Sequence, residues 1–282
     1  MSTRRNNSYG PSGKEDRFSS ADLIGFGIIA LVLIAFAGLW YWKSEVEDKL
    51  IPYDKVSGCP AAGPFATTLL LLDLTDKVSF LQEQNIIKVA ESLANPKSQN
   101  YVGAHERAIL VLLKESHSSQ IPIPVVSVCN PGDGSDLDEF TGNPDLARKR
   151  FEERFLGPIK EAISRLVEAE PASSSPIVES IRGIGVSSFF TDSKSDHKNR
   201  LIVISDMIQH SKNISFYRDG FALSDKEFSS HAAELGYIDQ VELFVIGREH
   251  PATMQGKELI EFWRKYFRFS DTALSAATRW SE

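Results

Sequence analysis

Residues 69–80 read LLLLDLTDKVSF, and this stretch decides the fold. Four leucines in a row are typical of a strand that is buried on both faces of a sheet. The leucine run ends in Asp73, Thr75 and Asp76, which are polar or charged. Buried strands rarely end this way unless the polar side chains serve a site at the end of the sheet or cap the next helix.

Apolar strands alternate with amphipathic helices from residue 65 onward. We predict strands at 67–72, 108–113, 121–128, 200–205 and 241–247, and helices at 78–93, 144–169, 225–235 and 257–267, with a further helix opening in SSPIVESI. The second and third strands are joined by only KESHSSQ, which is too short for a parallel crossover. The pattern therefore predicts a three-layer, doubly wound α/β domain with a mostly parallel sheet and one antiparallel edge strand.

The segment 23–42, LIGFGIIALVLIAFAGLWYW, contains no charged residue and is long enough to cross a bilayer. It ends in aromatic residues and then Lys43, as expected where a helix leaves lipid. A cleaved signal peptide is the alternative, because Ala35-Phe36-Ala37 resembles a cleavage site. We expect a disordered tail at 1–21, a transmembrane helix at 22–43, a linker at 44–64 and the α/β domain at 65–282.

The positive charges that flank this helix suggest an orientation. Four precede it (Arg4, Arg5, Lys14 and Arg17) and three follow it (Lys43, Lys49 and Lys55), which favours a cytoplasmic N-terminus and a periplasmic or extracellular domain. In such a compartment Cys59 and Cys129 can pair, since both are predicted at the amino-end side of the sheet. In the cytosol they would instead be core thiols.

Composition excludes some classes of function. The net charge of −7 and the pI near 5.5 argue against a nucleic-acid-binding protein. No Gly-x-Ser-x-Gly, Walker or dinucleotide-binding motif is present. The acidic loop with Asp133, Asp136, Asp138 and Glu139 lacks the spacing of a calcium loop. We therefore expect a protein that is not an enzyme.

Oxygen-bearing side chains collect at the carboxyl ends of the predicted strands. Asp73 and Thr75 follow the first strand, Asp206 follows the fourth, and Ser175 precedes a helix. Carboxylates and hydroxyls are the ligands that Mg²⁺ takes, so these four residues are the candidate metal site. The alternative is structural, with Asp73 and Thr75 capping the helix that starts near Lys77 and Ser175 capping the later one.

Together, DLTDK, SSPIVESI, LIVISDM and the order of elements resemble von Willebrand factor A-type domains over about residues 65–270. The resemblance implies a metal-ion-dependent adhesion site with Mg²⁺ held by Asp73, Thr75, Ser175 and Asp206. The family expects a fifth, hydroxyl ligand where this chain has Lys77. Either the Lys77 ammonium replaces the ion, or it turns outward and the ion keeps one more water.

The sequence thus predicts a membrane-anchored interaction module that binds a protein partner at the carboxyl-end cleft, through Mg²⁺ if the ion is present. Loops around Asp133–Asp138 and Ile208–Arg218 are expected to frame this cleft. The rival hypothesis is a membrane-tethered, metal-dependent phosphoester hydrolase that uses Asp73 and Asp206 with help from His210.

Overall fold

The computed structural model describes residues 20–49, 52–54, 56–113, 121–135, 143–167, 172–194, 196–248 and 252–280. The chain divides into two compact units, with the boundary between residues 51 and 52. The described residues of the first unit form the helix α1 (Ser20–Lys49). Its window Ile24–Lys43 has a mean hydropathy of 2.3, so α1 is long and apolar enough to cross a membrane. The predicted tail lies mostly outside the described residues.

The second unit is built on one sheet. Within the described residues, six strands form it in the order β3-β2-β1-β4-β5-β6. The strands are β1 (Thr67–Leu72), β2 (Arg107–Leu112), β3 (Pro124–Cys129), β4 (Arg200–Ser205), β5 (Gln240–Ile246) and β6 (Leu274–Trp280). Only the β2–β3 pair is antiparallel among these, and β3 lies at the edge. The predicted α/β fold class, with its single antiparallel edge strand, is confirmed.

Helices cover both faces of the sheet. They are α2 (Phe80–Ser92), α3 (Pro144–Phe151), α4 (Gly157–Val167), α5 (Ile177–Gly185), α6 (Phe216–Asp219), α7 (Asp225–His231) and α8 (Lys257–Phe269). A π-helical turn, Glu152–Leu156, joins α3 to α4, and a 3₁₀ turn, Ala252–Gln255, precedes α8. The predicted helix at 144–169 is therefore interrupted, because apolar periodicity does not reveal a π-helical turn.

The leucines of β1 are shared between two apolar layers. Leu69 and Leu71 pack in the cluster that contains α5 and α8, whereas Leu70 and Leu72 pack in the cluster of α2 and α4. All four side chains are at most 1% exposed. A strand in the middle of a three-layer domain needs apolar residues on both faces, which explains the uninterrupted leucine run.

The last strand, β6, was not predicted. Its sequence LSAATRW lacks both a continuous apolar run and a clean alternation, because β6 lies at the sheet edge and most of its side chains are exposed. It pairs in parallel with β5, and Trp280 packs against Phe244 with ring centroids 5.3 Å apart. This strand is therefore defined by its pairing with β5 and by the contact between Trp280 and Phe244.

A disulfide closes the amino-end side of the domain. Cys59 and Cys129 are bonded, with Cα atoms 4.9 Å apart and a sequence separation of 70. The turn that carries Cys59 is held further by a bridge between Tyr53 and Pro60 and by the Cys129 N–H, which donates to the Ser57 carbonyl over 3.0 Å. The predicted linker at 44–64 therefore includes the last turn of α1 and this disulfide-bonded turn.

Candidate functional site

The candidate site lies where β1 and β4 end side by side. These strands are parallel, with Leu72 paired to Ile204, so the residues that follow them meet at the same edge. Asp73 is 2% exposed and Asp206 is 4% exposed. Two carboxylates that come from positions far apart in sequence are thus buried next to each other, as the sequence predicted.

Three hydroxyl groups surround the Asp73 carboxylate. Thr75 Oγ1 donates to Asp73 Oδ1 over 2.7 Å, and the Thr75 N–H donates to the same oxygen. Ser175 Oγ and Ser205 Oγ donate to Oδ2 over 2.8 and 2.6 Å. The structure therefore brings Asp73, Thr75, Ser175 and Asp206 into one cluster, and it adds Ser205, the last residue of β4.

The capping alternative is wrong for both helices. Ser79 caps α2, since its side chain accepts from the Gln82 N–H and the Gln82 side chain accepts from the Ser79 N–H. At α5, the Val178 N–H donates to Gln209 Oε1 over 2.8 Å. Asp73, Thr75 and Ser175 thus bond to one another and are not needed as caps for the helices that follow them.

Arg248 supplies the positive charge at this site. Its Nε lies 3.3 Å from Asp206 Oδ2, and another guanidinium nitrogen lies 3.3 Å from Asp76 Oδ2. A third contact runs from the guanidinium to the Lys77 carbonyl over 2.7 Å. The Lys77 side chain is exposed, so Lys77 turns outward and the internal cation is Arg248.

Gln255 positions both ends of this ion pair. Its Oε1 accepts from the Arg248 N–H over 2.8 Å, and its Nε2 donates to the Asp206 carbonyl over 3.0 Å and to the Ile246 carbonyl over 2.8 Å. Gln255 is 4% exposed. This buried amide bonds to three backbone groups and so fixes the segment after β5 relative to the segment after β4. The Arg248 guanidinium is thereby positioned next to Asp206.

The surroundings of Asp206 disfavour the charged form of its carboxylate. Burial and the nearby Asp73 raise its pKa to about 7, although the Ile208 N–H and Arg248 favour the charged form. Burial also raises the pKa of Tyr217, and the negative charges of Asp206 and Asp76 raise it further. For Asp206, burial and the neighbouring carboxylates therefore outweigh the effect of Arg248 on the pKa.

The backbone after Asp206 adopts a conformation that is rare for its residue type. Met207 is fully buried and has φ of 63°, in the left-handed region that costs a non-glycine residue on the order of 1–3 kcal/mol. Its carbonyl accepts from Trp263 Nε1 over 3.0 Å, and its N–H donates to Ser205 Oγ over 2.8 Å. These contacts hold the chain in a turn that keeps Asp206 at the cleft.

A small cleft of about 90 Å³ opens over Asp206. Its lining includes Asp76, Ser174, His210 and Tyr217, so the loop at 208–218 does frame the site. His210 Nδ1 lies 2.9 Å from Ser215 Oγ, and its ring packs edge-on against Tyr217 at 5.3 Å. His210 therefore lies at the mouth of the cleft without contacting either buried carboxylate.

The other loop that was expected to frame the cleft lies elsewhere. Asp133 follows β3, which runs antiparallel and pairs its last residue, Cys129, with Arg107, the first residue of β2. Asp133 therefore lies near the amino end of the parallel strands, where it bonds to Ser135. Asp136, Asp138 and Glu139 are outside the described residues. The prediction that the Asp133 loop frames the cleft is therefore wrong, because the antiparallel direction of β3 places this loop at the other end of the sheet.

The residues at the cleft do not match the ion site that the family resemblance implies. The fifth, hydroxyl position is the exposed Lys77, and Arg248 already occupies Asp206 Oδ2. A divalent ion and a guanidinium would compete for that carboxylate oxygen. In the part of the chain that the structure describes, no group of three or more His, Cys, Asp or Glu residues is arranged to hold a metal.

Arg248, Gln255 and Ser205 are the site residues that the sequence analysis missed. Arg248 follows β5 after a single glycine, so the rule that drew attention to the ends of β1 and β4 applies to it as well. Gln255 lies in a 3₁₀ turn after a loop, and no local pattern marks its role. Ser205 reads as the last polar residue of a buried strand.

Comparisons with known proteins include solved structures whose likeness to this chain is weak. An aerotolerance-related membrane protein from Bacteroides fragilis NCTC 9343 matches with 9% identity and a TM-score of 0.36, covering 77% of this chain and 92% of that chain. The human COPII-coat protein Sec24c matches with 10% identity and a TM-score of 0.34, covering 77% of this chain and 29% of that one. No protein-family model and no curated protein matches the chain. At these scores the likenesses assign neither a family nor a function.

Proposed function

We propose that this protein is a membrane-anchored, non-enzymatic interaction module that binds a protein partner at the cleft over Asp206. The observation that carries the proposal is the buried Asp206 carboxylate, which lines this cleft together with the exposed Asp76 and has Arg248 as its counter-charge. Preorganised charge at the base of a cleft favours a ligand of the opposite charge. The partner contributes a basic side chain, lysine or arginine, which the Asp76 and Asp206 carboxylates accept.

Exposed apolar residues at the same end of the sheet as the cleft support a protein ligand over a small solute. Phe80 and Leu81, in the first turn of α2, are 71% and 59% exposed, and Tyr217 on the cleft wall is 55% exposed. All three lie on the carboxyl-end side of the sheet. Aromatic and apolar groups around a polar centre are typical of surfaces that bind other proteins.

Site-specific crosslinking tests this location. A photo-crosslinking residue at Tyr217 should capture a protein in intact cells, and Asp76→Asn should weaken that capture because it removes the exposed carboxylate. Tyr237 is a matched control, since it is 56% exposed but precedes β5 at the opposite end of the sheet. Equal capture from both positions, or capture unchanged by Asp76→Asn, would contradict the proposal.

Mg²⁺ is the alternative source of positive charge, and in that case the partner would contribute a carboxylate to the ion. We expect Mg²⁺ to leave the melting temperature of the full-length protein unchanged, since Arg248 already pairs with Asp206. The double variant Arg248→Ala, Lys77→Ser lacks the cation and gains the hydroxyl group. Mg²⁺ should raise the melting temperature of this variant. A rise in the wild-type protein would favour the metal-dependent mechanism.

The rival hydrolase gains no support from the geometry. Both Asp73 oxygens accept bonds from hydroxyl groups, and His210 bonds to Ser215. The Asp73 carboxylate is therefore engaged inside the protein and is not a free nucleophile. Hydrolysis of a generic phosphate ester that is lost in Asp73→Ala would overturn the non-enzymatic proposal.

A further inference from the structure

A second, larger cavity lies at the opposite end of the sheet from the cleft. Its volume is about 530 Å³, and its wall combines the disulfide-bonded turn (Tyr53, Gly58), the end of β3 (Cys129) and two arginines, Arg150 and Arg154. Nothing in the proposed function uses this cavity. It is large enough for a small-molecule ligand, since such sites commonly span about 300–1,000 Å³.

Covalent and steric constraints give this cavity a fixed shape. The disulfide holds the 53–59 turn against the end of β3. On the other wall, the loop after β3 approaches α3 so closely that a Cβ on Gly134 would lie 2.7 Å from the Ala147 Cβ, and Gly134 also has φ of 80°. Only glycine tolerates both conditions. The cavity is therefore formed before any ligand arrives, which lowers the cost of binding.

Two arginines, Arg150 and Arg154, line this cavity. Arg150 and Arg154 are one helical turn apart, and their neighbours Phe151 and Phe155 are buried in the core, so the backbone that carries them is anchored. Neither arginine forms an ion pair within the described residues. Unpaired guanidinium groups side by side are suited to a phosphate or carboxylate, which they can bind through several charge-assisted hydrogen bonds.

The cavity wall also contains one carboxylate, Asp54, which accepts hydrogen bonds within its own turn. Asp54 Oδ1 accepts from the Ser57 N–H over 2.7 Å and from Ser57 Oγ over 2.8 Å. These bonds hold the pKa of Asp54 below its usual range and stabilise the turn. At the tip of this turn Val56 is 93% exposed, and Tyr53 is 46% exposed. Cationic groups thus lie beside exposed apolar ones.

We propose that this cavity binds an anionic amphiphile, with Arg150 and Arg154 on its phosphate and the lining residues Tyr53 and Gly58 against its apolar body. A phospholipid is the source of this chemistry that we favour. The reason is sequence order, because Tyr53 follows the end of the candidate membrane span, Lys43, by only ten positions. The inference is independent of the proposed function, which uses the opposite end of the sheet.

Calorimetric titration of the full-length protein in a neutral detergent tests this site. Short-chain phosphatidylglycerol should bind, whereas phosphatidylcholine of the same chain length should bind much more weakly because its choline cation cancels the phosphate charge. Inorganic phosphate should also bind much more weakly, because it has no apolar chains. Arg150→Gln with Arg154→Gln should weaken phosphatidylglycerol binding about tenfold or more, because two charge-assisted contacts are lost.

A matched control separates this site from general charge attraction. Arg148→Gln with Lys149→Gln removes the same charge from the same helix, and neither residue lines the cavity. This variant should bind phosphatidylglycerol within about twofold of the wild-type protein, since only screened, longer-range attraction is removed. Equal losses in the two variants would overturn the proposal. So would equal binding of inorganic phosphate, which would mark a small-anion site instead.

Discussion

At the scale of single residues, the chemistry of the cleft depends on how Asp206 is compensated. Burial disfavours its charge, and Arg248, fixed through Gln255, restores part of the balance. Removing one partner of a buried ion pair costs more than the pair contributes, because the remaining charge is left without a counter-ion. The side chains of this site are therefore interdependent, and each is best tested against a control outside the network.

The raised pKa of Asp206 predicts a specific pH dependence of stability. The native state keeps this proton up to about pH 7, whereas an unfolded aspartate loses it near pH 3.9. Between these values the native state binds more protons, so the free energy of unfolding should fall as pH rises, by at most about 1.4 kcal/mol per pH unit. Denaturant unfolding of the wild-type protein and Asp206→Asn over this range measures the difference.

The comparison of slopes carries this test. Asp206→Asn should show a flatter profile than the wild-type protein between about pH 4 and about pH 7, and the two should run parallel above that range. Parallel profiles across the whole range would show that Asp206 ionises normally in the folded protein.

The residue-level prediction from sequence succeeded where strand direction alone decides position. Asp73 and Asp206 follow parallel neighbouring strands, so their proximity follows from topology. Arg248 required a further step, because its guanidinium reaches Asp206 only when the loop after β5 folds back through Gln255. That loop conformation is a tertiary property, and no local pattern encodes it.

At the scale of elements, buried strands were predicted best. The predicted bounds of β1 and β4 agree with the structure, because continuous apolar runs between polar residues leave little ambiguity. The exposed edge strand β6 and the π-helical turn at Glu152–Leu156 were missed, since both depend on contacts with other elements. Apolar patterning therefore identified the centre of the sheet but not one of its edges.

The disulfide leads to a testable prediction at this scale. Cys59 and Cys129 enclose a loop with a sequence separation of 70, so the bond restricts the unfolded chain strongly. Replacing both cysteines by serine should lower the free energy of unfolding by about 2–4 kcal/mol. Unfolding followed by tryptophan fluorescence, with and without a reducing agent, measures this loss.

The reductant serves as an internal control for this prediction. It should destabilise the wild-type protein by a similar amount and should leave the double serine variant unchanged. Two freely titrating thiols in the protein as isolated from cells, together with no effect of the reductant, would show that the bond does not form there.

At the scale of the whole molecule, the disulfide and the flanking charges constrain the orientation of the protein in the membrane. A disulfide persists in an oxidising compartment, and in the segments that flank the candidate span four positive residues precede it whereas three follow. Both observations favour a domain outside the cytosol. External protease should therefore digest a tag placed after Glu282 in sealed cells and spare one placed before Met1.

Permeabilised cells provide the control, because there the protease should reach both tags. The opposite pattern in sealed cells would reverse the orientation. Loss of the N-terminal tag from the mature protein would instead show that the apolar segment is a cleaved signal peptide, which is the alternative suggested by Ala35-Phe36-Ala37.

The disulfide also determines how a mechanical load would enter the domain. Tension on the anchoring segment would reach Cys59 eight positions before the first residue of Thr67–Leu72. At that point the sulfur bridge would divide the force between the central strand and the edge hairpin. The most buried strand of the sheet is thereby relieved of part of any pull along the tether, and a reduced protein would carry the whole load on that strand.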